Sequence, residues 1–139
     1  LFLDGNKVPA ELPRGISEWF IVRTYEEFCD FMVKYTEDNM RFPSIMSLNH
    51  DLHKEHFERE NNRHPVSPIK YDSYSEKTGK ECVEFLIQLS ELKQISLNSK
   101  VVIHSDNHKG KANMMYILSA YIKNRGHEGV VIEHSWKTR

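Results

Sequence analysis

The sequence predicts a three-layer α/β sandwich built on a parallel sheet of five strands. Short apolar runs alternate along the chain with amphipathic stretches of helical spacing, and this alternation implies parallel strands joined by right-handed helical crossovers. The length of 139 residues leaves room for one such domain and for no second core. We therefore expect a single α/β domain over residues 1–139 with a polar insert at 52–77.

Five apolar runs are the predicted strands, and they cover residues 1–3, 19–22, 45–48, 101–103 and 130–132. The first run ends at the turn dipeptide Asp4-Gly5, and the second is rich in aromatic and β-branched residues. The fourth run, Val101-Val102-Ile103, is the clearest, because a β-branched triplet suits a strand that is buried on both faces.

Three amphipathic stretches between these runs are the predicted helices. Residues 25–35 place apolar and aromatic side chains on one face, and residues 113–123 do the same before a stop at Gly126. A capping box formed by Thr78 and Glu81 starts the helix between them, whose apolar stripe begins at Cys82.

The segment at 52–77 interrupts the alternation, since it is polar, contains Pro65 and Pro68 and exceeds ordinary connection lengths. Its first part, 52–62, has a composition that permits a short helix. His53, His56, Glu60 and His64 follow one another at helical spacing there. Zinc accepts such ligands, but a solvated, charged helix face is the favoured interpretation of this cluster.

Charge and composition exclude several classes of protein. The 19 basic and 20 acidic residues give a formal net charge of −1, which argues against a broadly basic nucleic-acid-binding surface. No apolar run approaches the roughly 18 residues that cross a bilayer, and no secretion signal is visible. The 2 cysteines, Cys29 and Cys82, cannot build a disulfide framework or a four-thiolate zinc site, so we expect a cytosolic protein.

Polar and titratable groups follow four of the five predicted strands, at the ends where ligands bind in open parallel sheets. They are Asp4, the trio Asn49-His50-Asp51, the run His104-Ser105-Asp106-Asn107, and His134-Ser135. We expect Asp4, His50 and His104 to converge at this edge of the sheet, and this arrangement is the strongest functional signal in the chain.

The first two groups have a functional and a structural interpretation. Asp4 can bind Mg²⁺ or orient a catalytic imidazole, or it can simply form an Asx turn over Gly5. His50 is suited to proton transfer near neutral pH, with Asp51 bracing it or a neighbour. The alternative is that Asp51 caps a helix and His50 is merely exposed.

The run from His104 to Lys111 leaves a buried strand and enters a helix, where free backbone N–H groups favour an anion. Gly110 would let the backbone approach a phosphate, and Lys109 and Lys111 add positive charge. The spacing is not that of a P-loop, and the alternative is a helix start with incidental lysines.

Taken together, these segments resemble a known family. Its motifs LDDxRxP, DHDL, TG and HSxNPxGxxNM correspond to Leu1-Phe2-Leu3-Asp4 with Pro9, Asn49-His50-Asp51-Leu52, Thr78-Gly79 and His104-Ser105-Asp106-Asn107 with Gly110, Asn113 and Met114. In this order and over nearly the whole chain, the sequence resembles the cyclic-phosphate-processing receiver-like domains of bacteria and their phages.

The resemblance implies a flavodoxin-like sheet in the order 2-1-3-4-5 and an activity on cyclic nucleotides or other cyclic phosphates. It places His50, His104, Asp51 and Asp4 at catalytic positions, and Ser105, Asn107, Gly110 and Asn113, together with Lys109, at phosphate-binding positions. A divalent cation such as Mg²⁺ would use Asp4 and Asp51. The chain departs from the family pattern at Gly5, Asn49, Lys7 and His108, and the loss of acids at 5 and 49 weakens a metal site.

Three functions fit these expectations. The first is a phosphoesterase that opens a cyclic phosphate of a nucleotide or nucleic-acid end, with His50 and His104 as acid and base. The second is a non-catalytic module that binds a nucleotide or a partner protein, as a phage protein could against host defence. The third and least favoured is a phosphoacceptor receiver, because Gly5 removes the acid pair that such a domain requires.

Overall fold

A computed structural model of the chain describes residues 1–52 and 77–138. Its sheet is parallel, and the five strands lie in the order β2-β1-β3-β4-β5. The strands are β1 (Phe2–Leu3), β2 (Ile21–Val22), β3 (Ile45–Leu48), β4 (Lys100–Ile103) and β5 (Val130–Glu133). The predicted fold class and strand order are therefore confirmed.

The helices of the described residues are α1 (Tyr25–Asn39), α2 (Gly79–Lys93) and α3 (His108–Arg125). Thr24 caps α1, and the predicted capping box of Thr78 and Glu81 is present at the start of α2. The helix α3 ends at Gly126, which adopts a left-handed conformation with φ 67°, as the sequence predicts.

Two helix boundaries differ from the sequence prediction. The helix α1 continues to Asn39, because the chain first turns left-handed at Met40, whose N–H bonds the carbonyl of Thr36. The helix α3 starts at His108 and not at 113, because the side chain of Asn107 accepts the N–H of Gly110 and closes the first turn. The run from His104 to Lys111 thus enters a helix, as the sequence predicts, and it does so directly after Asn107.

The three helices form one layer on one face of the sheet, since α2 packs against both α1 and α3. Leu3, Met46, Leu48, Val101 and Ile103 point from the strands into this layer and join one apolar core with the inner faces of the helices. Cys82 is buried in that core and Cys29 is half-buried beside it.

Tryptophans cover the opposite face of the sheet. Phe2 and Ser47 point to this side, because successive strand residues point to opposite faces. The ring of Trp19 packs edge-on against Phe2, and the indole N–H of Trp136 donates to the Ser47 hydroxyl. Both tryptophans come from non-helical segments, which supply the third layer within the described residues.

The structure describes only the two ends of the insert predicted at 52–77. The short helix predicted there falls on residues outside the described part of the chain, and so does the predicted cluster of His53, His56, Glu60 and His64. None of the helices in the described part of the chain has the length and hydropathy of a membrane span.

Candidate active site

The polar residues at the carboxyl edge of the sheet form two clusters on opposite faces. The register pairs Leu48 with Ile103, so the residues that follow these strands alternate in step. A far-face cluster contains Asp4, Ser47, Asn49 and His104, on the side that Trp136 covers. A helix-face cluster contains His50, Asp51, Asn107 and Gly110, next to the start of α3.

Asp4 is fully buried at the centre of the far-face cluster. Its Oδ1 accepts the backbone N–H groups of Asn6 and Lys7 at 3.0 Å each, and its Oδ2 lies 3.3 Å from Asn49 Nδ2 and 3.1 Å from His104 Nε2. Burial alone would raise the pKa of this carboxyl, but the hydrogen bonds from His104, Asn6 and Lys7 outweigh it and lower the pKa below its ordinary value. Asp4 is thus a hydrogen-bonded carboxylate without contact to solvent.

His104 uses both ring nitrogens inside the protein. Its Nε2 meets Asp4, its Nδ1 lies 2.7 Å from Ser47 Oγ, and its ring stacks on Phe2 with centroids 4.5 Å apart. Only 6% of the side chain is exposed. In this arrangement, both ring nitrogens of His104 are engaged with protein groups, and its Nε2 holds Asp4.

Asn49 connects the two clusters. Its side-chain amide donates to Asp4 Oδ2 and, at 3.0 Å, to the backbone carbonyl of Asp51. An aspartate at position 49 could not donate these bonds and would place a second carboxylate against Asp4. The departure from the family motif at this position therefore has a structural reason.

Residues 49–51 form a corner at the end of β3, and His50 is held on the opposite face of this corner from Asn49. Its Nδ1 lies 2.8 Å from Asp51 Oδ1, and Asn107 Nδ2 lies 3.3 Å from the same oxygen. The side chains of His50 and Asp51 are 11% and 16% exposed. The carboxylate that pairs with His50 is thus Asp51, whereas Asp4, which the sequence could also have assigned to this imidazole, pairs with His104.

Two glycines allow this corner to pack against the helices. A β-carbon on Gly110 would lie 2.4 Å from Cγ of His50, so only glycine leaves room for the imidazole. A β-carbon on Gly79 would lie 2.0 Å from the carbonyl oxygen of Asn49, and the Gly79 N–H donates to the His50 carbonyl at 2.8 Å. The Thr-Gly motif therefore both caps α2 and positions residues 49 and 50.

The sequence predicts an anion site at the start of α3, where two backbone N–H groups already have side-chain acceptors. The Ser105 hydroxyl accepts the N–H of Asn107 at 3.1 Å, and the Asn107 side chain accepts the N–H of Gly110 at 2.9 Å. Two of the amides that an anion would use are therefore already bonded. Lys109 and Asn113 are exposed on α3, and their side chains have no hydrogen bond or ion pair with the described residues.

A polar cavity of about 310 Å³ opens beside this site, between the carboxyl ends of β4 and β5. Its lining includes Ser105, Lys111, His134 and Ser135. The Lys111 side chain is only 19% exposed, and its ammonium lies 2.9 Å from the carboxylate of Glu133, which is 61% exposed. A mostly buried lysine side chain therefore borders a polar cavity, and its counter-ion is exposed to solvent.

The described residues do not fit a Mg²⁺ site. Both oxygens of Asp4 are bonded to protein donors, and a β-carbon on Gly5 would lie 1.9 Å from the carbonyl oxygen of Leu52, which leaves no space for a second acid. Within residues 1–52 and 77–138, no group of three or more His, Cys, Asp or Glu side chains is arranged to hold a metal ion. A cation that requires Asp4 and Asp51 together has no donor set there.

Comparison with known proteins assigns the fold to a family. A family model described as the cyclic-phosphate processing receiver domain matches residues 1–120. The chain belongs to this family. No curated protein and no solved structure matches the chain. The family match includes every residue of the far-face and helix-face clusters, whereas β5 and the segment with Trp136 follow it in the sequence.

Three residues of the site have no counterpart in the sequence predictions. Ser47 lies in an apolar strand, and a polar residue at a buried strand position is a signal that could have revealed it. The Arg23 guanidinium donates to the carbonyls of Asp4 and Lys7 at 3.0 and 2.6 Å and fixes the turn between them. Trp136 carries no sequence signal, because its contact with Ser47 depends on how the chain folds back after β5.

Proposed function

We propose that this domain is a phosphoesterase that opens a cyclic phosphate of a nucleotide or an RNA end, with His50 as the proton-transfer group. The observation that carries the proposal is the pairing of His50 with Asp51 at the carboxyl edge of the sheet, 2.8 Å apart. A carboxylate that binds one nitrogen of an imidazole fixes its tautomer and leaves the other nitrogen for chemistry.

The hydrogen bonds define which nitrogen of His50 is available. Asp51 is an acceptor, so Nδ1 carries the proton and donates it to the carboxylate. Nε2 then has a lone pair, and the described residues give it no hydrogen-bond partner. Nε2 can take a proton from a water molecule that attacks phosphorus, while the ring P–O bond breaks and the departing oxygen gains a proton from solvent.

The substrate phosphate would bind next to His50, along the loop that follows β4. Ser105 lies level with His50 because the register continues beyond Leu48 and Ile103, and its hydroxyl hydrogen is available to an anion. Lys111 supplies positive charge from the adjoining cavity when the exposed Glu133 moves aside. Lys109 and Asn113 are exposed in the first two turns of α3, and we expect them to contact a ligand that extends beyond the phosphate.

The test is a turnover assay on the full chain with a panel of 2′,3′-cyclic nucleotides, 3′,5′-cyclic nucleotides, cyclic dinucleotides and an RNA oligonucleotide with a cyclic phosphate end. We expect one class to be converted to a linear phosphomonoester or diester, detected by chromatography. Removal of a positioned proton-transfer group reduces kcat by roughly 10²- to 10⁴-fold, and we expect this loss in His50→Ala.

His108→Ala is the matched control, because His108 is an exposed histidine at the start of α3, the helix whose Gly110 contacts His50. It should retain the turnover of the wild type. Equal turnover of His50→Ala and wild type on a cleaved substrate would overturn the assignment of His50.

A non-catalytic binding module is the second candidate, and the hydrogen bonds at both ring nitrogens of His104 favour it. Acid–base opening of a ring is most efficient with two positioned groups, whereas within the described residues His50 alone of these two imidazoles has a ring nitrogen without a protein partner. Calorimetry with the same panel separates the two functions. Binding that saturates without any product would support the module, and turnover would exclude it.

A further inference from the structure

The segment after β5 folds back over the far face of the sheet. Ala10 N–H donates to the Lys137 carbonyl at 2.7 Å, and Thr138 forms an antiparallel bridge with Pro9. This return places Trp136 against Trp19, with ring centroids 5.4 Å apart in an edge-on arrangement. The indole of Trp136 is thereby fixed beside β3 by backbone pairing and by ring packing.

The indole N–H of Trp136 determines what the Ser47 hydroxyl does. An indole nitrogen can only donate, so Ser47 Oγ, at 2.7 Å, is the acceptor. Within the described part of the chain, the acceptor in reach of the Ser47 hydroxyl hydrogen is then His104 Nδ1 at 2.7 Å. Since Ser47 is fully buried, a hydroxyl hydrogen that pointed away from Nδ1 would lose its hydrogen bond without gaining one to water, which is unfavourable.

We infer that Trp136 is a positioning residue, whose N–H acts through Ser47, in concert with the Asp4 carboxylate on the other side of the ring, to fix the Nε2–H tautomer of His104. With Nδ1 as acceptor, the ring proton is on Nε2 and points at Asp4 Oδ2, 3.1 Å away. The same Asp4 oxygen accepts from Asn49, which also holds the carbonyl of Asp51. A residue outside the matched family region thereby orients the corner that carries His50.

Trp19 provides a matched control for this inference. It belongs to the same aromatic cluster, and its indole N–H also donates within the protein, at 2.8 Å to the backbone carbonyl of Glu11. Trp19→Phe therefore removes an equivalent indole hydrogen bond without altering a donor to Ser47. Trp136→Phe keeps an aromatic ring in the cluster and removes the N–H together with the pyrrole part of the indole, and Trp19→Phe matches it in this loss of volume.

The experiment is long-range ¹H–¹⁵N correlation NMR of the histidine rings in the full chain, at one neutral pH. In the wild type, we expect His104 to show an unprotonated Nδ1 and a protonated Nε2. In Trp136→Phe, we expect the two nitrogen shifts to move towards each other as the other tautomer becomes populated, whereas Trp19→Phe should leave them unchanged. The His50 nitrogens should respond in Trp136→Phe and not in the control.

Ser47→Ala tests the same relay from its centre. It removes the hydroxyl that bonds Nδ1, so we expect the same redistribution of the His104 shifts, and no further change when Trp136→Phe is added. Thermal unfolding confirms that each variant is folded at the temperature of the spectra. A protonated Nδ1 in the wild type, or wild-type shifts in both Trp136→Phe and Ser47→Ala, would overturn the inference. The measurement uses no substrate, so its outcome is independent of the proposed phosphoesterase activity.

Discussion

The imidazole of His50 occupies the space that a β-carbon on residue 110 would require. The clash would involve Cγ, Cδ2 and Nδ1 of the ring at 2.4 to 2.7 Å, so the contact is with the body of the imidazole and not with its edge alone. The ring is also held by Asp51 at Nδ1 and cannot turn away without losing that bond. The position of the His50 ring therefore requires glycine at residue 110.

Gly110→Ala tests this relationship. Alanine is favoured over glycine inside a helix by roughly 1 kcal/mol, so the same change elsewhere in α3 would stabilise the chain. Here we expect the melting temperature to fall, because the new methyl displaces His50, and we expect any turnover or ligand binding that depends on His50 to be lost with it. Thermal unfolding and the His50 ring resonances measure the two effects.

Ala112→Gly is the companion variant, since Ala112 is an exposed residue in the same part of α3. It should lower stability by the ordinary helix penalty of roughly 1 kcal/mol and leave the His50 resonances in place. If Gly110→Ala instead raised the melting temperature with unchanged His50 resonances, the packing argument would be wrong.

Asn107 has two roles that substitutions can separate. Its Oδ1 caps the Gly110 N–H, and its Nδ2 lies 3.3 Å from Asp51 Oδ1. Asn107→Asp keeps a good cap at a helix N-terminus but replaces the amide donor with a carboxylate that faces Asp51. We expect Asn107→Asp to retain most helix stability yet to disturb the His50–Asp51 pair, which the His50 ring resonances report.

Asn107→Ala should differ in a defined way. It removes the cap, for a loss of about 1 kcal/mol in the free energy of unfolding, and it leaves Asp51 without a new repulsive neighbour. Larger effects on stability in Asn107→Asp than in Asn107→Ala would mean that the charge repulsion, and not the cap, dominates at this position.

The sheet order and the polar residues at its carboxyl edge could be predicted because strand–helix alternation and apolar runs are local signals. The capping box at Thr78 and the stop at Gly126 could be predicted for the same reason. What the sequence left open was which imidazole pairs with which carboxylate. The face to which each residue points depends on the register between β1, β3 and β4, and no single strand contains that information.

The partners of Asp4 and of Trp136 are two contacts that the sequence could not predict for this reason. The alternation of each strand is visible in the sequence, but only the observed pairing of Leu3 with Leu48, and of Leu48 with Ile103, puts Asp4 and His104 on one face and His50 on the other. The contact between Trp136 and Ser47 is harder still to predict, because it depends on how the chain returns after β5. Its hydrogen bond joins residues 89 positions apart in the sequence.

Mg²⁺ binding distinguishes the observed site from a metal-dependent one. Because Asp4 is saturated by protein donors and Leu52 fills the space at Gly5, we expect Mg²⁺ to leave the melting temperature and the resonances of residues 4, 49 and 51 unchanged. Asp51→Asn should respond to Mg²⁺ in the same way as the wild type. Shifts of residues 4 and 51 that saturate with Mg²⁺ and vanish in Asp51→Asn would contradict this expectation.

Asp4→Asn tests how much the carboxylate of the far-face cluster contributes to the stability of the protein as the pH falls. The pKa of Asp4 is lowered in the folded state from an ordinary value of 3.8: burial opposes this shift, but the hydrogen bonds from His104, Asn6 and Lys7 outweigh it. A group with a depressed folded pKa stabilises the protein above its unfolded pKa, and this contribution is lost as the pH falls through the folded value. Near neutral pH, the substitution places an amide N–H₂ against the donors of Asn49 and His104, at a cost of about 1–3 kcal/mol.

The expected result is therefore a pH-dependent difference between the two proteins. Urea unfolding at a series of pH values should show that wild type exceeds Asp4→Asn in stability at pH 6, and that the gap narrows below about pH 4, where the unfolded carboxyl begins to bind its proton. Asp106→Asn is the control, since the Asp106 side chain is 95% exposed and, among the residues that the structure describes, its ion pair is with Lys7. Its difference from wild type should be small throughout. A gap for Asp4→Asn that stays constant from pH 6 to the lowest pH measured would show that the ionisation of Asp4 does not contribute to the stability of the folded protein.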